Sequence, residues 1–183
     1  MLRSSLVILA LLPLACTGSG SDDTGGDSSS SAGGNTNTDT SADDDSTGGV
    51  MIDVPTEGVA LLAWLEAETY TSWEAETAVH DATGTSPHGR VRTYFNDVLV
   101  TSYMAGNTTH GVGSAAVKEL FDGMDARIGW AVGVKVAESD APESWYWYLN
   151  AGGMVNADGT GVALCEDCHV AGTDRMITGY PLQ

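Results

Sequence analysis

RIGWAVGVKVAE, residues 127–138, sets β-branched and aromatic residues at alternate positions, with glycines between them that suggest bends or close packing. This is the pattern of a half-buried strand. Just downstream, SWYWYLN (144–150) reads as a second strand. Upstream, SAAVKELFD (114–122) is short and strand-like. RVRTYFNDVLV (90–100) alternates too, with Val91, Thr93 and Phe95 on one face and Arg90, Arg92 and Tyr94 on the other. HDATGTSPHG (80–89) and residues 106–113 are loops rich in Gly, Thr and Ser or His. Four strands joined by Gly-rich turns, without helices between them, imply an antiparallel sheet. Before them, Gly58–Ala78 carries Leu61, Leu62, Leu65, Tyr70 and Trp73 at helical spacing, which predicts one helix interrupted near Thr69–Ser72. GVALCEDCHVAG (161–172) predicts a short helix or turn laid against the sheet. The expected class is α+β, mainly an antiparallel β-sheet, with an N-terminal and a short C-terminal helix. No internal repeat is visible.

The first 49 residues have a different character. Met1–Ala15 reads as a signal peptide: Arg3 is the positive start and Leu6–Leu14 the apolar run, too short to span a bilayer as a mature helix. It ends in Leu14-Ala15-Cys16, which resembles the bacterial lipobox, where the cysteine is lipidated and becomes the new N-terminus. A plain signal peptide with a chance cysteine is the alternative. Residues 17–49 are nearly all Gly, Ser, Thr, Asp and Asn, unable to bury apolar surface, and read as a disordered tether. The expected product is an exported lipoprotein on the periplasmic side of the cell envelope, touching the membrane through its lipid anchor only. Thr17 is not the aspartate associated with inner-membrane retention, which points to the outer membrane.

Residues 50–183 form one domain of ordinary size. The chain has 25 acidic and 7 basic residues. Seven aspartates lie in the tether and Arg3 in the leader, which leaves the domain 18 acidic and six basic residues, a formal charge of about −12. That excludes the basic footprint of a nucleic-acid binder and disfavours a strongly anionic substrate.

The domain's two cysteines, Cys165 and Cys168, stand three apart, and His169 follows at once. A disulfide between them would restrain little chain. A zinc site needs about four ligands, and no second cysteine pair exists. A thioredoxin-like motif belongs in a βαβ frame, which is not what surrounds this one. C-x-x-C-H is also the attachment sequence of c-type haem: both thiols bond the macrocycle and the histidine binds the iron. One covalent haem c, held by Cys165 and Cys168 with His169 on the metal, is therefore expected. Only 14 residues follow His169, and Met176 among them is badly placed to reach the opposite haem face. Met104, Met124 and Met154 are the other candidate sixth ligands, but a lone Met in a sheet is more often core filler. An iron with an open distal site is expected, suited to a small ligand. A six-coordinate electron-transfer cytochrome, its acidic surface docking basic partners, is the alternative.

A C-terminal C-x-x-C-H with strand content resembles the cytochrome P-460 family and its relatives, the cytochromes c′-β. The likeness covers about residues 70–181. It lies in SPHGRVRTYFND (86–97), GSAAVKELFD (113–122), RIGWAVGVKVAE followed by ESWYWY, and CEDCH followed by TDRMITGYP (173–181). The resemblance implies a mainly antiparallel sheet with flanking helices, usually a homodimer, and one haem c whose ligand is a small gas or nitrogen oxide such as NO, with a redox partner protein. It makes Lys118 the counterpart of the lysine that cytochrome P-460 joins to its haem; a strand lysine facing solvent or paired with Glu119 is the alternative. The distal carboxylate of hydroxylamine-oxidising members falls at Ala131, flanked by Trp130 and Val132, so hydroxylamine oxidation is in doubt. His88 falls on the distal side, where a neutral imidazole can donate to a bound ligand; a loop histidine bonded to backbone is the alternative. His80 and His110 read as surface residues. Trp130, Trp145 and Trp147 read as packing the sheet or a dimer face. Arg90 and Arg92 read as an exposed strand face, with haem propionates as the alternative partners.

Overall fold

The computed structural model describes residues 52–84 and 86–183. The signal peptide, Cys16 and the tether lie outside the described residues.

The domain is α+β, with a mostly antiparallel sheet and three α-helices. The elements are α1 (Gly58–Glu66), β1 (Glu74–Ala75), β2 (His80–Asp81), β3 (Arg90–Phe95), α2 (Asp97–Met104), β4 (Ala115–Phe121), β5 (Arg127–Lys135), β6 (Trp145–Ala151), β7 (Met154–Thr160) and α3 (Ala163–His169). The seven strands run in the order β1-β3-β4-β5-β6-β7, and β2 pairs with β3 beside β1. Short turns join β4 to β5 and β6 to β7, and a longer loop with a 3₁₀ turn at Pro142–Ser144 joins β5 to β6, so sequence neighbours are spatial neighbours, as in an antiparallel meander.

Alternation divides the strands between two faces. One face presents Tyr94, Val117, Val132, Val134, Tyr146 and Tyr148, and packs under Leu61 and Leu65 of α1 and under Tyr70. Buried among these rings is the Glu119 carboxylate. It accepts from Tyr70 Oη at 2.7 Å, Tyr94 Oη at 3.1 Å and Arg127 Nη1 at 2.8 Å. The other face presents Phe95, Trp145 and Trp147, covered by Leu99 of α2 and by Met176.

Several expectations need correction. The helix expected over 58–78 breaks near Thr69–Ser72, as expected, but does not resume: α1 stops at Glu66. Glu68 takes a left-handed backbone (φ 54°), Thr69–Ser72 form a 3₁₀ turn, and the chain then pairs with β3. The strand expected over 90–100 ends at Phe95. Asn96 caps a helix instead: its Oδ1 accepts the Leu99 N–H at 3.0 Å, and Asp97 sits in the first turn where the helix dipole favours an acid. Val98 and Val100 resemble strand residues only while that cap goes unread. The sheet has seven strands rather than four. The polar MVNADGT of β7 and the two-residue β1 and β2 carry too little apolar pattern to be seen.

The arginines do not form an open face. Arg90 pairs with Asp125 at 2.8 Å, Arg92 Nε donates to the Glu76 carbonyl at 2.9 Å, and Tyr94 beside them is buried. His110 is fully buried, its ring 4.7 Å from that of Tyr103. His80 is half-buried beside Glu76. Met104, Met124 and Met154 are 73, 86 and 66 % exposed, so none is core filler. Trp145 and Trp147 are buried in the sheet and Trp130 is half-buried.

Candidate functional site

A small, open-mouthed recess lies on the β3–β6 face beneath α3 and the segment after it. Its floor is two rows of the sheet. Thr93, Lys118, Ala131 and Leu149 form one, each opposite the next across β3, β4, β5 and β6. Phe95, Ala116, Gly133 and Trp147 form the other. Gly133 is needed there: a Cβ would stand 2.7 Å from the Trp147 ring. The wall is mostly apolar. His88 from the loop before β3, Cys165 and His169 from α3, and Met176 and Thr178 close it.

Five residues singled out in the sequence thus line one cavity: His88, Lys118, Ala131, Cys165 and His169. Cys168 belongs to the same helix and is exposed. Neither cysteine is in a disulfide. Lys118 neither faces bulk solvent nor pairs with Glu119, which points to the opposite face of the sheet. It is half-buried, and its Nζ donates to Thr178 Oγ1 at 3.2 Å. Burial holds its ammonium below the ordinary lysine value. Thr93 Oγ1, beside it in the row, is buried with no hydrogen-bond partner among the described residues.

His169 is the best defined of the set. Its Nδ1 lies 2.7 Å from the Arg175 carbonyl oxygen. A carbonyl can only accept, so Nδ1 carries the proton and Nε2 keeps its lone pair. Burial lowers the affinity of the ring for a second proton. The result is a neutral imidazole with a free nitrogen, its ring centroid 4.4 Å from that of Trp147 and tilted 52° to it, and this is the tautomer a metal takes.

The partners of this histidine are locked in turn. Glu166, one turn earlier in α3, accepts from Trp147 Nε1 at 2.6 Å and from Arg175 Nε at 2.8 Å. Arg175 Nη2 donates to the Asp140 carbonyl at 2.8 Å. Asp174 accepts from Lys135 Nζ at 2.8 and 2.9 Å, from the His110 N–H at 2.7 Å and from Trp145 Nε1 at 3.3 Å. Despite its burial, these donors hold its carboxyl below the usual carboxylate value. Nothing in the sequence signals this network. Lys135 stands at a core position of β5, and Asp174 is 39 residues away.

The donor set fits a thioether-linked haem: two unpaired thiols, a neutral histidine beside the second, and an apolar wall. Among the described residues no three His, Cys, Asp or Glu side chains are grouped to hold a metal ion. Burial, then the neighbouring Glu166, pushes the Cys165 thiol up to about 11. Met176, the methionine judged badly placed, is buried in the cavity wall.

His88 is driven down to about 4 by burial, then by Lys118 and His169. The imidazole is therefore neutral in the folded chain. An unfolded histidine takes its proton near pH 6.5, so between about 6.5 and 4 the unfolded state binds more protons and stability falls as pH falls. His110 and His169 shift in the same sense, and His80 in the opposite one. Before any cofactor is attached, the urea midpoint is expected to drop between pH 7 and 4.5, and less steeply in His88→Gln. Equal slopes in the two chains would contradict a buried neutral His88.

No protein-family model matches the chain, and no curated protein matches it by sequence. The functional reading therefore rests on the residues themselves. Among the described residues no helix is long and apolar enough to cross a membrane.

Proposed function

We propose that this domain is a mono-haem c protein of the cytochrome P-460 and c′-β kind, which binds or redox-transforms a small nitrogen oxide such as NO. Cys165 and Cys168 would hold the haem covalently and His169 would bind the iron. The observation that carries the reading is the His169 tautomer: a neutral ring, its Nδ1–H tied to the Arg175 carbonyl, at the edge of an apolar cavity and next to two free thiols. A haem held there supplies an iron that binds a small ligand and exchanges one electron.

The remaining roles belong to the wall. Phe95, Leu149 and Trp147 exclude water. His88 is a neutral imidazole able to donate one hydrogen bond to a guest. Lys118 is the amine proposed to face the haem. Ala131 offers no proton acceptor, and the described residues that line the cavity include no Asp or Glu. Removing protons from hydroxylamine needs such a base. This favours ligand binding, or electron exchange without a proton, over hydroxylamine oxidation. An enzymatic role is left to the test below.

Buried Met176 favours a second reading, an electron-transfer cytochrome with a sixth protein ligand. The visible spectrum of the haem-loaded chain, with and without CO, separates the two. A high-spin iron that takes up CO is expected. A low-spin iron that ignores CO, and becomes high-spin in Met176→Ala, would establish the second reading. A red-shifted reduced Soret band that disappears in Lys118→Ala would show a lysine–haem bond. The leader and Cys16 extend the proposal to an exported lipoprotein on the periplasmic side of the outer membrane, acting as a homodimer with a redox partner protein.

A further inference from the structure

The segment after α3 is strained. Asp174 and Arg175 are consecutive non-glycine residues with left-handed backbones, φ 44° and 70°. Such strain persists only where the surroundings over-determine it. Here they do. Lys135, entirely buried on β5, grips both oxygens of Asp174, while the His110 N–H and the Trp145 indole complete the cage. The next residue is held by its other end: the Arg175 guanidinium spans Glu166 and the Asp140 carbonyl. Between these two grips stands the Arg175 carbonyl, the acceptor of the His169 proton. Glu166 and His169 lie three apart on one side of α3, so the histidine and its acceptor are tied together by two routes.

We infer that Asp174 and Glu166 are positioning residues for His169: their clasp on the 174–175 backbone aims the Arg175 carbonyl at Nδ1 and so keeps Nε2 available to a metal. This rests on the reading of His169 as the axial ligand. None of the four clasp side chains, Lys135, Asp174, Glu166 and Arg175, lines the cavity. They reach His169 through the Arg175 carbonyl, and Glu166 also through the Trp147 indole that donates to it. When the clasp is loosened, the strained pair relaxes and the carbonyl leaves Nδ1. The ring then loses both its preferred tautomer and the hydrogen bond that raises its basicity as a ligand.

The test has two arms, so that failure of the clasp and failure of the axial-ligand reading give different results. In the first, the full chain is made without haem-attachment machinery and labelled with ¹⁵N. A long-range ¹H–¹⁵N spectrum of His169 reads the tautomer. The Nδ1–H form is expected to dominate in the wild type, and the Nε2–H share to rise in both Asp174→Asn and Glu166→Gln. In the second arm the chain is matured with haem. The iron–histidine stretching band is expected at lower frequency, and the midpoint potential higher, in both variants. A merely structural role would move the urea midpoint and leave tautomer, band and potential where they were. Folded variants with unchanged tautomer ratios would overturn the inference. If Asp174→Asn does not fold, Glu166→Gln decides alone, since Gln keeps the shape and the acceptor oxygen. A wild type that takes up no haem, with a tautomer that still shifts in the variants, would leave the clasp standing and sink the axial-ligand reading.

Discussion

Made in cells equipped to attach haem, a chain carrying Cys165→Ser and Cys168→Ser is expected to come out colourless, while the wild type carries close to one haem per chain. His169 and the apolar wall remain in that variant, so the comparison isolates the covalent link. The two thiols have no other duty in the fold. They form no disulfide, and Cys168 is exposed. Cys165 is half-buried at the margin of the Phe95, Trp145 and Trp147 cluster, where serine is nearly the same size. The stability of the haem-free chain should therefore change by no more than about 1 kcal/mol, within the range of ordinary substitutions. Absorbance per chain in the Soret region, together with the urea midpoint, checks both halves. A double variant that keeps its full absorbance through denaturation would show that the cysteines do not carry the haem.

The second large effect concerns stability. Lys135→Met is expected to cost about 3–5 kcal/mol, because it strands the Asp174 carboxylate in the core with only two neutral donors. The Lys135 side chain is 0 % exposed and that of Asp174 5 %. Whole domains are stable by only about 5–15 kcal/mol, so this single change brings the fold near its limit. The double variant Lys135→Met with Asp174→Asn should recover a large part of the loss, since it removes the lone charge as well as its partner. Urea unfolding of the three chains measures the coupling. A single variant within about 1 kcal/mol of the wild type, the usual range of exposed pairs, would mean that water reaches Asp174.

The two pairs show what a sequence can carry. Cys165 and Cys168 are legible as a candidate site because the motif is local: three cysteine and histidine positions fall within five residues. The strands of 127–138 and 144–150 are legible for the same reason, since alternation is a short-range pattern. Lys135 and Asp174 are not legible. A lysine in a strand reads as solvent-facing, and only the closure of the 170–176 segment onto β5 gives it a partner. His110, in a run of polar loop residues, is buried by that same closure. The helix Asp97–Met104 was hidden by Val98 and Val100, whose strand preference yields to the Asn96 cap. The gathering of His88, Lys118 and Ala131 around one cavity was expected from a resemblance of sequence blocks. In the structure Lys118 and Ala131 meet through register, since Lys118 lies opposite Ala131 on one side and Thr93 on the other, while His88 reaches the cavity from the loop before β3.

The most direct test of the central claim is the mass of the purified wild-type chain together with its pyridine haemochrome spectrum, after expression with haem-attachment machinery. A mass raised by one haem that survives denaturation, with the spectrum of a macrocycle bound through two thioethers, is the predicted result. An unmodified polypeptide mass with two titratable thiols would contradict it, and would leave the cavity beneath α3 to a different guest.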